Sequence, residues 1–291
     1  MMVSIVVPVA KEGGGLYDRI LSFHREFGVL AAANGFSFEI LLVSDMFHVL
    51  TIKAMMKLAK QGIARCLLLT RRIGKGGSIK NAIPYTRGDY IVVLDADIPV
   101  NPVTIHRAVL LARKLGIDLV IANRVYRTHS LLRRVLSTAY NTLVNLFFRT
   151  GLRDHQAGFK VLSRRAAKII LVGRTRTDGL AYDTELIVWA KKHGLRYRAI
   201  NVVWREQRVG STIPPLRALL TMFADLVMLR LLTLAGKYVA LQKLVVGRII
   251  ELCNIHTVGQ EFMTVIRASS PKKHLLDILR KLYIAVAFRR R

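Results

Sequence analysis

Two aspartates, Asp95 and Asp97, stand one residue apart directly after an apolar run from Tyr90 to Leu94. An apolar run rich in β-branched residues is typical of a buried strand. A pair of carboxylates at the end of a buried strand is costly unless something positive binds there. A divalent metal that carries a diphosphate is the simplest explanation, and hard oxygen ligands suit Mg²⁺ or Mn²⁺. Because only 18 of the 291 residues are acidic, two acids this close together are less expected by chance.

A glycine-rich segment, residues 71–78 (R-R-I-G-K-G-G-S), follows an apolar run that ends near Leu69. Glycines allow backbone N–H groups to approach a phosphate, and the start of a helix favours an anion. The segment is not a Walker loop, because the final Gly-Lys-Ser/Thr is missing. A simple turn before a helix explains it equally well.

Three more polar segments admit two interpretations each. The spacing of residues 153–160 (R-D-H-Q-A-G-F-K) does not by itself assign them any chemistry. Within this segment, His155 is interpreted as a surface residue rather than as a catalytic base. Asp183 and Glu185 open a helix, where capping is a sufficient reason for acids. Residues 204–212 (W-R-E-Q-R-V-G-S-T) end a strand and could grip a phosphate or form a solvated loop.

The net charge of +28 implies an anionic partner: nucleic acid, a phosphate-rich substrate or acidic lipid. Two cysteines argue against a disulfide scaffold and fit a reducing compartment. No window reaches about 18 uncharged apolar residues. The nearest candidate, residues 216–235, is interrupted by Arg217, Asp225 and Arg230, so a spanning helix is not expected.

Strand and helix signals alternate over the first two hundred residues, which predicts an α/β fold with a mostly parallel sheet covered on both faces. Strands are expected at 3–7, 38–43, 64–69, 90–94, 119–122 and 197–203. Helices are expected at 16–34, 50–61, 78–83, 102–115 and 183–193. Ligands then bind beyond the carboxyl ends of the strands, where Asp45, the glycine-rich segment and Asp95 fall.

The pattern changes after about residue 212, where Pro214 and Pro215 break the chain. Long apolar and basic stretches follow, at 216–235, 239–252 and 274–291, and they predict amphipathic helices. We therefore expect a domain at 1–212 and a basic amphipathic helical region at 213–291 that associates with a membrane.

Together and in this order, the motifs resemble family 2 glycosyltransferases of the GT-A fold. The nearest resemblance is to dolichyl-phosphate mannose synthases and dolichyl-phosphate glucosyltransferases. The segments that carry it are 7–12 (V-P-V-A-K-E), 74–82 (G-K-G-G-S-I-K-N-A), 87–97 (R-G-D-Y-I-V-V-L-D-A-D), 153–160 and 182–186 (Y-D-T-E-L). It covers residues 3 to about 212. The family's usual D-D-G-S after the second strand is here S-D-M-F, which keeps one acid, Asp45.

The resemblance implies inverting transfer of a hexose from a nucleotide diphosphate sugar, such as GDP-mannose or UDP-glucose, to a polyprenyl (dolichyl) phosphate. A phosphate monoester has a second pKa of about 6 and is largely dianionic near neutrality. It is already a nucleophile, so a dedicated general base is dispensable. The site must hold two anionic reactants together and stabilise the leaving diphosphate.

The resemblance also implies roles for particular residues. The expected catalytic residues are Asp97, Asp183, Arg208 and Gln156. The expected donor-binding residues are Pro8, Glu12, Asp45, Lys75, Asp95 and Asp97. The acceptor phosphate is expected at Arg124, Arg133, Arg208 and Ser211. The expected metal ligands are Asp95 and Asp97, with Mg²⁺ or Mn²⁺.

Two alternatives stay open. The same fold could act on a saccharide or another hydroxyl acceptor, but that chemistry needs a base and none is uniquely placed. The charge also permits nucleic-acid binding. Against that class, aromatics make up only 8% of the chain and no RNA-binding signature appears, so no nucleic-acid partner is expected. The expected location is the cytoplasmic face of the cell membrane, peripheral or interfacial, on anionic lipid.

Overall fold

A computed structural model of the chain describes residues 1–13, 15–126, 131–172, 178–179, 181–205 and 221–234. Within these residues seven strands form one sheet. They are β1 (Met2–Val9), β2 (Ser37–Ser44), β3 (Arg65–Leu68), β4 (Tyr90–Val93), β5 (Leu119–Tyr126), β6 (Lys160–Ser163) and β7 (Tyr197–Val203). The strand order is β3-β2-β1-β4-β6-β5-β7, and only β6 runs antiparallel to its neighbours.

Helices connect the strands and cover the sheet. They are α1 (Gly15–Ala33), α2 (Val49–Lys60), α3 (Lys75–Ala82), α4 (Pro102–Leu115), α5 (Leu131–Phe148), the short turn α6 (Arg164–Ala166) and α7 (Tyr182–Lys192). A 3₁₀ turn covers Ile83–Tyr85, and a π-helical segment, Ala167–Val172, follows α6. The first compact unit of the chain is Met1–Asp225. From the second unit, the structure describes residues 226–234, which are helical.

Two apolar layers enclose the sheet because successive strand residues point to opposite faces. On one face, Ile5 and Val7 of β1 belong to a cluster with side chains of α1, α2 and α4. On the other face, Val6 belongs to a cluster with Ile79 of α3 and Leu186 of α7. The prediction of an α/β fold with helices on both faces is therefore confirmed.

Helix α4 shows how local sequence sets an element's ends. The side chain of Asn101 accepts a hydrogen bond from the N–H of Val103 (2.8 Å), and Pro102 occupies the first helical position. Gly116 ends the helix in the left-handed region, with φ 58°. These are the residue types that favour helix starts and stops, and the predicted bounds are those observed.

All six predicted strands are present; the bounds 197–203 are those observed, and the other five strands have ends shifted by one to four residues. The strand β6 was not predicted, and it separates β4 from β5 in the sheet. None of the helices in the described part of the chain is long and apolar enough to cross a membrane.

Candidate active site

The aspartate pair lies at the carboxyl end of β4, in a loop that is tied down from both sides. Arg19 of α1 donates through Nε to the carbonyl of Ala96 (3.2 Å). The N–H of Arg205, just beyond β7, donates to the carbonyl of Pro99 (2.9 Å). Between them Ile98 has φ 46°, which is unusual for a β-branched residue. The backbone that carries the aspartates is therefore held in one conformation.

Asp95 is paired with Lys75, the first residue of α3. The distance from Lys75 Nζ to Asp95 Oδ1 is 2.6 Å. Burial raises the pKa of the Asp95 carboxyl, but the charges of Lys75, Lys160 and Arg124 outweigh it and lower that pKa below its ordinary value. On the other side, a Cβ at Gly158 would lie 1.9 Å from Asp95 Oδ2, so only glycine fits there. Asp95 is thus an ionised carboxylate in a tightly shaped place.

Asp97 has a different environment. It lines a recess of about 380 Å³ with Lys11, Glu12 and Arg19, and with His48 and Leu50 at the start of α2. Burial and the charge of Asp95, with a smaller effect of Glu12, raise the pKa of Asp97 to about 6. A divalent cation would relieve this crowding of negative charge, so the two aspartates fit one. In the described ranges no group of three or more His, Cys, Asp or Glu side chains is placed to hold a metal.

A third aspartate, Asp183 at the start of α7, links two lysines. Its Oδ1 contacts Nζ of Lys160, and its Oδ2 lies 3.9 Å from Nζ of Lys75. The ammonium of Lys160 also donates to the carbonyl of Ala157 (2.5 Å), and the residue is fully buried. The charges therefore alternate in sign from Lys160 through Asp183 and Lys75 to Asp95. Such pairing is what allows charged groups to be buried.

The two lysines respond differently to this network. Burial and the charge of Lys75 lower the pKa of Lys160 despite the nearby Asp183. For Lys75 burial also lowers the pKa, but Asp95 and Asp183 together raise it well above its ordinary value. The ring of Tyr182 lies beside both ammonium groups, at 5.7 Å from Lys75 Nζ and 5.8 Å from Lys160 Nζ. Lys75 is thus held as a cation at the aspartate pair.

Arg124, near the end of β5, forms a two-pronged ion pair with Asp154. Its Nε lies 2.7 Å from Oδ2 of Asp154, and a terminal nitrogen lies 3.0 Å from Oδ1. This geometry is the strongest that an arginine makes with a carboxylate. Gln156 follows in the same loop and donates through Nε2 to Thr184 Oγ1 (2.9 Å). Loop 153–160 thereby connects β5 to the start of α7.

Helix α5 fixes the loop that contains these residues. Asn141 Oδ1 accepts from the N–H of His155 (3.1 Å) and lies 2.7 Å from His155 Nδ1. Nε2 of the same ring lies 2.6 Å from Thr150 Oγ1. His155 is fully buried, and burial lowers its pKa to about 4. The interpretation of His155 as a surface residue is therefore wrong; it is a buried neutral group that joins the loop to α5.

The glycine-rich segment is occupied by acceptors of the protein itself. Asp45 Oδ2 accepts from the N–H groups of Ile73 (2.9 Å) and Gly74 (2.6 Å). The carbonyl of Asp178 accepts from the N–H groups of Gly76 (2.9 Å) and Gly77 (3.3 Å). The interpretation as a turn before a helix fits these contacts better than the phosphate cradle. Lys75, not the backbone of this segment, carries the positive charge to the aspartates.

The expected site residues divide into three groups by position. Lys75, Asp95, Asp97 and Asp183 meet at the carboxyl end of β4, and Glu12 joins the recess of Asp97. Pro8 lies in β1, Asp45 binds the glycine-rich turn, and Gln156 and Arg124 belong to the loop 153–160 network. Arg133 lies in α5, and the predictions for Arg208 and Ser211 fall outside the described residues.

Several residues of this network were not assigned from the sequence. They are Arg19, Asp154, Gly158, Lys160 and Thr184. Three of them belong to segment 153–160, which the resemblance did single out, so the motif was the available signal. Nothing local marked Arg19, because its contact with the aspartate loop spans 77 residues of sequence.

Comparison with known proteins shows which sequences the chain resembles. The family model described as Glycosyl transferase family 2 matches residues 4–170. Glycosyltransferase AglD of Haloferax volcanii is 34% identical over 140 residues, which are 47% of this chain and 22% of AglD. The dolichyl-phosphate beta-glucosyltransferase of Dictyostelium discoideum is 28% identical over 69% of this chain and 65% of its own length. The human enzyme of that name is 28% identical over 81% of this chain and 76% of its own length.

Solved structures show the same fold at lower identity. Mannosyl-3-phosphoglycerate synthase from Rubrobacter xylanophilus has a TM-score of 0.62 at 23% identity, over 81% of this chain and 75% of that one. Glucosyl-3-phosphoglycerate synthase from Mycobacterium tuberculosis, in complex with Mn²⁺, UDP and glucosyl-3-phosphoglycerate, has a TM-score of 0.60 at 17% identity. The match covers 78% of this chain and 79% of that one. The likeness confirms the predicted GT-A fold. With a family match that covers more than half of its residues, the chain belongs to glycosyl transferase family 2.

Proposed function

We propose that the chain transfers a hexose, with inversion, from a nucleotide diphosphate sugar to a polyprenyl phosphate at a membrane surface. The observation that carries the proposal is the alternating set of charges from Lys160 to Asp95, which ends beside Asp97 at the carboxyl end of β4. The names of the relatives support dolichyl phosphate as the acceptor class and glucose as the sugar. UDP-glucose is therefore the first donor to test, and GDP-mannose the second.

Asp95 and Asp97 would hold a divalent cation, Mg²⁺ or Mn²⁺, which when bound offsets negative charge on the leaving diphosphate. Lys75 would add a fixed positive charge on the same side, because its ammonium already lies 2.6 Å from Asp95. Gly158 would keep the Asp95 carboxylate in place, and Arg19 would keep the backbone between the two aspartates in place. These groups preorganise charge where the reaction develops it.

The nucleotide would lie in the recess lined by Glu12 and Asp97, close to Pro8 and the turn held by Asp45. Asp183 and Gln156 would orient the sugar or the loop around it. Both are connected to fixed partners, Asp183 to Lys160 and Gln156 to Thr184, so a bound sugar would meet groups that need little reorganisation.

The acceptor phosphate would approach from the side of Arg124. This residue and Arg153 line a cavity of about 760 Å³ between β5, α5 and the loop 152–153. Arg133, Arg208 and Ser211 are proposed to complete the acceptor site on the strength of the resemblance. The acceptor phosphate would attack as a dianion, which needs no protein base.

We further propose that residues 1–212 form the catalytic domain and that residues 213–291 form a basic amphipathic region on anionic lipid. The enzyme would then be peripheral at the cytoplasmic face of the cell membrane. A nucleic acid is not proposed as a partner.

A donor and acceptor screen tests this function. Purified protein with Mn²⁺ or Mg²⁺ is given UDP-glucose, GDP-mannose or UDP-N-acetylglucosamine, each with a polyprenyl phosphate or with 3-phosphoglycerate. We expect a solvent-extractable glycolipid from UDP-glucose, with the anomeric configuration inverted. Asp97→Ala should abolish it, whereas Asp18→Ala, at an exposed acid of α1, should not. Product formed only on 3-phosphoglycerate would reject the lipid acceptor.

A further inference from the structure

We propose that the outer face of α2, with the loop that precedes it, binds an anionic lipid surface directly. This α2 surface consists of Phe47, Val49, Lys53, Met56 and Lys60. It is a contact of the catalytic unit itself and is separate from the basic region at 213–291. It does not depend on which acceptor the enzyme uses.

Exposed apolar side chains are concentrated at this place. Phe47 is 82% exposed, Val49 54% and Met56 48%, and Leu50 between them is 53% exposed. Single exposed apolar residues are ordinary on protein surfaces. Four within ten residues, beginning with an almost fully exposed phenylalanine, form a patch of the kind that marks an interaction site.

The spacing places the helical members of the α2 surface on one side. Val49, Lys53, Met56 and Lys60 follow one another by four, three and four residues, which is the spacing of one helix face. The opposite face, with Thr51, Ala54, Met55 and Leu58, is buried against the sheet. Helix α2 therefore has a core face and an outer face on which apolar and basic side chains alternate.

The segment of sequence that contains this surface carries charge of one sign, although Glu12 and Asp97 lie in the recess beside the start of α2. Residues 46–88 contain nine lysines and arginines and no aspartate or glutamate. Of these nine, Arg65 is paired with Glu39, Lys75 with Asp95 and Lys80 with Asp178. Lys53, Lys60, Arg71 and Arg72 are exposed. The complementary partner is therefore a surface that carries many negative charges.

The mixture of side chains favours lipid over nucleic acid as that partner. Basic residues interleaved with apolar ones are typical of helices that lie in a membrane interface, where the apolar groups enter the headgroup region. Proteins that bind single-stranded nucleic acid stack bases on several aromatic rings. Phe47 is the one aromatic residue of the α2 surface. Its position directly after β2 is also at the end of the sheet where Asp97 lies.

Vesicle binding of the full chain tests the charge contribution. Lys53→Gln/Lys60→Gln is compared with Arg113→Gln/Lys114→Gln, which removes two exposed charges of α4. The vesicles are phosphatidylcholine with phosphatidylserine and contain no polyprenyl phosphate. Each lysine at an anionic surface contributes about a fivefold affinity, so we expect the α2 variant to bind about 25-fold more weakly and the control to change less than threefold. Equal losses in the two variants would overturn the proposal.

A local probe separates this contact from membrane binding by other regions. An environment-sensitive fluorophore is attached at Phe47→Cys, or at Val29→Cys on α1 (71% exposed), after Cys66 and Cys253 are replaced by alanine. With vesicles we expect a blue shift at position 47 and none at position 29. No shift at position 47 in vesicle-bound protein, or a shift caused by single-stranded RNA instead, would overturn the proposal. Sugar transfer is measured separately in detergent, where no vesicle surface is needed. The lipid-binding proposal for the α2 surface and the proposed transferase function can therefore fail independently.

Discussion

At the scale of single residues, the proposed metal site contains a carboxylate, Asp97, whose ionised form is destabilised by its surroundings. Asp97 lies beside Asp95 and Glu12, and burial together with the charge of Asp95 raises its pKa to about 6. The ordinary aspartate pKa of about 3.9 applies in the unfolded chain. Ionised Asp97 therefore destabilises the folded, metal-free protein above pH 6, and this effect disappears as the pH falls toward 4.

Asp97→Asn is consequently expected to stabilise the metal-free protein at pH 7.5 by on the order of 1 kcal/mol, after allowance for solvent screening of a partly exposed group. The gain should be near zero at pH 4. Urea unfolding in the presence of a chelator measures both values. Asp18→Asn is the control; because Asp18 is an exposed acid in the first turn of α1, its removal should not stabilise the protein at pH 7.5. A variant that is less stable than the parent at pH 7.5 would show that Asp97 has stabilising contacts instead.

Gly158 shows how a residue without a side chain shapes the site. A methyl group there would lie 1.9 Å from Asp95 Oδ2 and 2.6 Å from Oδ1. Gly158→Ala should therefore move the Asp95 carboxylate, lower the affinity for Mn²⁺ and reduce transfer by at least about 100-fold, since misplacement by about 1 Å has that effect. Mn²⁺ binding followed by electron paramagnetic resonance provides a readout independent of turnover. Gly179→Ala, which adds a methyl group in open space, should behave like the parent.

At the scale of elements, the loop between β4 and α4 holds a conformation that its sequence disfavours. Ile98 has φ 46°, and a left-handed conformation costs a residue with a side chain about 1–2 kcal/mol. Ile98→Gly and Ile98→Ala both remove the side chain beyond Cβ, but only glycine also removes Cβ and with it this cost. We expect the glycine variant to be about 1 kcal/mol more stable than the alanine variant in urea unfolding. Equal stabilities would mean that the loop relaxes to another conformation.

The sequence predicts most elements of this fold but not the strand that completes the site. Four strands are apolar runs or follow turn signals, namely β1, β2, β4 and β7. Their local sequence pattern is therefore sufficient to predict them. Strand β6 is four residues long and begins with Lys160, a charge that ordinarily argues against a buried strand. What neutralises this lysine is Asp183, 23 residues away on α7. A local pattern cannot show that compensation.

The same distinction applies to the candidate site. The aspartate pair and Lys75 follow from the motifs, because strand ends in a parallel sheet are where ligands bind. The contact of Asp45 with the glycine-rich turn depends on how two loops meet in space, and sequence spacing alone did not predict it. The buried state of His155 depends in the same way on Asn141 and Thr150.

At the scale of the whole molecule, the chain combines a charge-paired site with an unbalanced surface. The acids of the site are matched by Lys75, Lys160 and Arg124, whereas the net charge of +28 resides mainly outside these pairs. Surface charge of one sign attracts anionic partners over a distance limited by salt screening. Two surfaces are proposed to use it: the α2 surface and the region 213–291.

These two surfaces should contribute separately to membrane binding, which a deletion can test. Residues 235–291 contain eleven lysines and arginines and three acids, so a chain that ends at residue 234 keeps a net charge of +20. We expect this shortened chain to bind phosphatidylserine vesicles more weakly than the full chain but still measurably. Adding Lys53→Gln/Lys60→Gln should then remove most of the remaining binding, and raising the salt concentration should weaken both forms. Circular dichroism of the shortened chain controls for loss of folding. Unchanged vesicle binding after the deletion would exclude residues 235–291 as a membrane contact, because their positive charges and apolar stretches would then contribute nothing to the free energy of binding.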